Sequence, residues 1–148
     1  MHRAILALAL VTSLVGCGGG APPSKPLPKT EPVTGTVTLD DQPLSGALVT
    51  FVPMGDTQGV ECSGKTDESG KFTPQQLRGA EGVPAGTYRV YIRRPLRGGK
   101  PITDDASGAA GGVVVESLPP KYSSPTESKL TATIPAGGGP VEFKLTSK

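Results

Sequence analysis

The feature that most limits what this chain can fold into is an alternation of period two. Val33, Gly35, Val37 and Leu39 are spaced by Thr34, Thr36 and Thr38. Successive side chains of a strand point to opposite faces, so this stretch has one apolar face and one of threonines, as a half-buried strand requires. The pattern returns at the other end of the chain. Leu130, Ala132 and Ile134 alternate with Thr131 and Thr133, and Val141, Phe143 and Leu145 alternate with Glu142 and Lys144. With the Pro135 to Pro140 turn between them, these two segments predict a hairpin-like pair. Between the two ends, Ala47 to Val52 reads as a more fully apolar strand stopped by Pro53, and Gly59 to Thr66 and Lys71 to Thr73 as two more. In Thr87 to Arg94, Tyr88, Val90 and Ile92 face one way while Arg89, Tyr91 and Arg93 face the other. No segment carries a convincing helical period. The chain therefore reads as all-β, and seven short strands predict a seven-stranded antiparallel β-sandwich.

Glycine and proline supply 21 and 16 of the 148 residues, a quarter of the chain, against about 12% in average usage. They are not spread evenly. Gly18 to Pro32 reads GGGAPPSKPLPKTEP, with Leu27 as its one large apolar residue. Such a stretch favours extended polyproline II at ~3.1 Å per residue, so about fifteen residues make a tether of up to roughly 45 Å. Ahead of it, His2 and Arg3 precede an apolar run from Ala4 to Val15 broken only by Thr12 and Ser13. That is the length of an export-signal core and short of the ~20 residues a spanning helix needs. The run ends in Leu14-Val15-Gly16-Cys17, which resembles the bacterial lipobox. The resemblance implies cleavage before Cys17 and lipidation of its thiol and amine with diacylglycerol and fatty acyl chains. More than one chain would make anchoring effectively permanent, at ~0.8 kcal/mol per buried methylene. Gly18 stands where an aspartate would signal retention at the inner membrane, which favours the outer membrane. The expected organisation is thus a signal peptide over 1–16, a lipidated cysteine and tether over 17–32, and a folded domain over 33–148.

Within that domain the residues carry a resemblance. Val33-Thr34-Gly35-Thr36-Val37, Pro43-Leu44-Ser45-Gly46-Ala47 with Val49, Gly64-Lys65-Thr66-Asp67-Glu68-Ser69-Gly70-Lys71-Phe72 and Pro84-Ala85-Gly86-Thr87-Tyr88-Arg89-Val90 resemble the carboxypeptidase regulatory-like domain. That domain is a transthyretin-like (prealbumin-like) sandwich. Leu118-Pro119-Pro120-Lys121-Tyr122 and Ser128-Lys129-Leu130-Thr131 are similar to segments of small secreted lipoproteins of planctomycete-like bacteria. The resemblance implies fold and compartment more than activity, because the zinc chemistry of carboxypeptidases lives in a separate catalytic domain.

Several motifs have a plainer explanation than the chemistry they suggest. Gly59-Val60-Glu61-Cys62-Ser63-Gly64-Lys65-Thr66 satisfies the phosphate-loop pattern. That mechanism needs a buried strand before the loop and a helix beginning at its Lys-Thr pair. Polar residues 54–58 precede it and Asp67, Gly70 and Pro74 follow, so no nucleotide is expected. The only histidine is His2, inside the signal. A mature chain without histidine lacks Ser-His-Asp and Cys-His catalysis and His-ligated zinc. Asp40-Asp41 and Asp104-Asp105 read as turn caps before they read as acid/base pairs or a weak calcium site. Cys62, alone once Cys17 is lipidated, reads as a small half-buried strand residue. The chain is expected to be no enzyme and to carry no cofactor or metal.

Arg89, Arg93, Arg94, Arg97 and Lys100, with Tyr91 interleaved, form the one charge cluster and the candidate ligand or partner surface. It could hold an anionic glycan or lipid, or serve as an edge strand guarded by its charges. A formal net charge of +2 disfavours nucleic acid. Residues 95–120 make a long loop in which Ser107 to Gly112 looks mobile and Val113-Val114-Val115 predicts an extra edge strand or a patch. The expectation for the whole is a lipid-anchored, non-catalytic envelope lipoprotein presenting a structural or protein-binding module.

Overall fold

The computed structural model describes residues 27–76, 79–102 and 112–148. The signal peptide, Cys17, the first part of the tether, Asp104-Asp105 and most of the Gly/Ala-rich stretch from Ser107 lie outside them. The described residues are mostly strand, in the order β1 (Val33–Leu39), β2 (Gln42–Pro43), β3 (Leu48–Pro53), β4 (Cys62–Lys65), β5 (Lys71–Phe72), β6 (Gln75–Gln76), β7 (Gly86–Arg93), β8 (Pro95–Arg97), β9 (Lys100–Pro101), β10 (Val114–Glu116), β11 (Leu130–Ile134) and β12 (Gly139–Leu145). One helical turn, α1 (Pro120–Ser123), lies between β10 and β11. The fold is all-β, built of several sheets.

Three sheets are formed. One runs β12-β1-β2, with β5 also paired to β1; a second runs β11-β7-β3-β4-β6; a small third runs β10-β8-β9. The first two share one core. Phe51 of β3 lies 6.1 Å from Tyr88 of β7 and 6.2 Å from both Phe72 of β5 and Phe143 of β12. All three phenylalanines of the chain therefore meet at one point between the sheets, each ring pair adding about 0.5–1.5 kcal/mol beyond its burial. Gly35 makes room for this cluster. Paired with Phe72 across the β1–β5 ladder, it lies beneath the phenylalanine ring, and a Cβ there would sit inside that ring.

Two expectations are corrected. The segments 130–134 and 141–145 do not form a hairpin: β11 pairs with β7 and β12 pairs with β1, in different sheets. The turn between them carries the chain from one sheet to the other. The fold is also not wholly antiparallel, because β12 runs parallel to β1 over seven register pairs, from Val33↔Gly139 to Leu39↔Leu145. Six of the twelve strand segments are only two or three residues long, too short to show a period in the sequence.

The last residues of the tether are seated on the fold. Glu31 and Val83 exchange backbone hydrogen bonds of 2.9 and 3.1 Å, and the Gly139 N–H donates to the Pro32 carbonyl at 3.0 Å. Gly82 and Gly138, both at positive φ, allow this close approach. A Cβ on either would collide with the Glu31 or Pro32 carbonyl.

Candidate functional site

The outward face of β7 carries the first part of the predicted basic strip, Arg89, Tyr91 and Arg93, because Tyr88, Val90 and Ile92 turn inward and are fully buried. The structure does not keep the strip together. At the C-terminal end of β7, Arg93 Nε lies 3.6 Å from Glu116 Oε2, while Glu116 Oε1 accepts the Arg94 and Leu118 backbone N–H groups at 2.8 and 3.0 Å. Arg94 Nε donates to the Ser45 carbonyl at 2.8 Å. Arg97 and Lys100 pair across the β8–β9 hairpin. Arg93 and Arg94 thus fasten the small sheet to the body of the fold. Tyr91 is half-buried on β7 opposite Thr50.

Arg89, four residues earlier, has different neighbours. With Met54, Lys121, Glu127, Lys129 and Thr131 it lines an open cleft of about 590 Å³. Arg89 and Thr131 are cross-strand partners in the β7–β11 ladder. The Ser128 hydroxyl donates to the Val90 carbonyl at 2.5 Å and folds the preceding segment back against β7. Lys121, in α1, lies with its ammonium 4.9 Å from the centre of the Tyr122 ring and donates to Thr146 Oγ1 at 3.4 Å and to the Lys148 carbonyl. Three cations thus border one cleft with a single carboxylate. Sequence reading missed Lys121 and Lys129 because they lie some thirty to forty residues from Arg89 in a segment without periodicity. A somewhat larger cleft, about 660 Å³ between residues 54–58 and 85–87, has Asp56 as its sole charged lining residue.

The phosphate-loop pattern is absorbed by the fold. Lys65 ends strand β4, Thr66 follows it, and the pair starts no helix. Thr66 exchanges backbone and side-chain hydrogen bonds with Ala47, its Oγ1 accepting the Ala47 N–H at 2.8 Å and its own N–H donating to the Ala47 carbonyl at 2.8 Å. Lys65 Nζ donates to the Ile102 carbonyl at 2.9 Å, tying β4 to the end of β9. Cys62 is more deeply placed than expected, fully buried, with its thiol donating to the Val60 carbonyl at 3.5 Å. Burial pushes that thiol up to about 11, with the Glu61 charge adding to the shift. Asp40 and Asp41, at φ 49° and 63°, form the two-residue turn between β1 and β2, and Asp40 Oδ1 accepts the Ser147 N–H at 3.1 Å. Among the described residues no group of three or more His, Cys, Asp or Glu side chains could hold a metal ion, and no helix is long and apolar enough to cross a membrane.

The valine run does form an edge strand, as its β-propensity predicts, with Val114 and Val115 in β10 paired to β8. Its side chains stay accessible: Val113, Val114 and Val115 are 81%, 48% and 57% exposed. No known protein family, curated protein or solved structure matches the chain.

Proposed function

We propose that the chain is a lipid-anchored, non-catalytic lipoprotein of a bacterial cell envelope, presenting a transthyretin-like β-sandwich as a structural or protein-binding module. The observation that carries this reading is the polarity of the fold. Pro32 is fastened to the Gly138-Gly139 turn, which follows Ile134, the partner of Gly86 at the start of β7. The small sheet with its exposed valines continues from the other end of that strand. Eight residues of β7 at ~3.3 Å each separate the two by about 25 Å. A lipidated Cys17 and a proline-rich stalk would hold the first end toward the membrane and leave the second facing outward. Two sheets sharing one aromatic core suit a sandwich of this type. Replacing Cys17→Ser should move the protein from the membrane fraction to the soluble envelope fraction. Retention of that variant on membranes overturns the anchor.

A second reading, recognition of an anionic glycan or lipid, is favoured by the cleft bordered by Arg89, Lys121 and Lys129. It moves the site away from Arg93 and Arg94, which brace the small sheet. The double variant Arg89→Gln, Lys129→Gln should lose salt-sensitive binding to immobilised polygalacturonate or to vesicles containing phosphatidylglycerol, whereas Lys100→Gln should not. Equal binding by both variants removes the reading.

A further inference from the structure

The cleft beside Arg89 holds charges of both signs that the fold does not use. Lys121 is already engaged, its ammonium donating to Thr146 and to the Lys148 carbonyl, and the Ser128 hydroxyl is taken up by the Val90 carbonyl. Arg89, Glu127 and Lys129 differ: among the described residues no side-chain hydrogen bond or ion pair engages any of the three. The next arginines along the chain show the contrast, since Arg93 is paired with Glu116 and Arg94 with the Ser45 carbonyl.

The backbone explains why these groups meet. Ser128 is buried by its bond to β7, and Glu127 and Lys129 on either side of it are exposed. Thr131 is the cross-strand partner of Arg89, so the two side chains share one face of the β7–β11 pair. Lys129 is the alternate residue before Thr131 and lines the cleft with it. Arg89, Lys129 and the Thr131 hydroxyl therefore make a cationic end, and Glu127 supplies an acceptor beside it.

Two cations and a hydroxyl suit a tetrahedral oxyanion, because the guanidinium fork spans two oxygens and the ammonium takes a third. Glu127 demands the opposite. As an acceptor-only group it repels a second anion and takes a hydroxyl hydrogen in a charge-assisted bond. No aromatic ring is among the described residues lining the cleft, so a sugar ring finds no face to stack on there. A polyuronate would also bring a carboxylate on every ring toward Glu127. The three unengaged side chains carry a net single positive charge, which one phosphodiester balances.

We infer that this cleft binds a glycerophosphate group, its phosphodiester oxyanion between Arg89 and Lys129 and its glycerol hydroxyls on Glu127. The inference rests on the anionic-ligand reading above and narrows it to one chemistry. The same group occurs as the headgroup of phosphatidylglycerol and as the repeat of a glycerol phosphate polymer.

The test is calorimetric titration of the full chain, in phosphate-free buffer, with glycerophosphoglycerol and separately with inorganic phosphate. Arg89→Gln should weaken both probes about tenfold. Glu127→Ala should weaken glycerophosphoglycerol about tenfold yet bind inorganic phosphate more tightly than the parent chain, a crossing that no folding defect produces. Glycerophosphoglycerol binding that Glu127→Ala leaves equal or tighter overturns the inference, and so does its failure to bind the parent chain. In that last case, tetragalacturonate binding that Arg89→Gln abolishes leaves the anionic-ligand reading standing, and its absence removes that reading too. Two competitors separate the sources: phosphatidylcholine vesicles with and without phosphatidylglycerol, and soluble poly(glycerol phosphate). Displacement of glycerophosphoglycerol by either supports the assignment and names the source, and displacement by neither overturns it.

Discussion

Cys62 shows how a single side chain can be chemically silenced by its position. It sits opposite Phe51 in the β3–β4 ladder, fully buried, and its thiol stays protonated because a thiolate there would lose its solvation. Since the folded value lies above that of an exposed thiol, the stability this group contributes is fully present below about pH 8.5 and is lost as pH rises toward its raised value. In a chain carrying Cys17→Ser, Cys62 should resist a thiol-specific disulfide reagent at pH 8 and react fully in denaturant. Rapid reaction of the folded protein would contradict this account. Much of that was legible beforehand, for the sequence around Cys62 offers Lys65 alone as a nearby cation and reads as strand. The fate of the arginines was not legible. Alternation places Arg89 and Arg93 on one face, but it says nothing of Glu116, more than twenty residues away, which claims one of them, or of Lys121 and Lys129, which join the other.

At the level of elements, strands announced themselves and their partners did not. The alternations of β1, β7, β11 and β12 correspond closely to the buried and exposed faces observed. Pairing is decided by the turns, and a four-residue turn with two glycines at φ 97° and 73° can redirect a chain as readily as reverse it. That is why β11 and β12 part company. The tight turn between β4 and β5 is better specified. Asp67 Oδ1 accepts the Ser69 hydroxyl at 2.7 Å and the Ser69 and Lys71 backbone N–H groups at 2.8 and 2.9 Å. These bonds, the Ser69 hydroxyl foremost, hold the carboxyl below its ordinary range. The stability it confers is present above that range and disappears as pH falls through the lower folded value. Asp67→Ala should therefore lower the thermal midpoint at neutral pH and flatten its decline below about pH 4. Superimposable acid profiles for the two chains would show that the turn does not depend on the carboxylate.

Across the whole molecule, the arrangement is of two ends with different tasks. One end collects the incoming chain through Glu31, Pro32, Val83 and Gly139, and the other carries the small sheet braced by Arg93, Arg94 and Lys65. Between them lies one aromatic core that joins the two larger sheets. The pairing of β1 with β12 unites residues more than a hundred positions apart in the chain, so the fold closes only when its last strand is in place. That pairing has a mechanical side. Because the two strands run parallel, tension between the chain ahead of Val33 and the chain beyond Leu145 drags them lengthwise past each other. The rungs of the ladder then bear the load together instead of parting one at a time. A module pulled by its stalk would be gripped most firmly at the seam where its first and last strands meet.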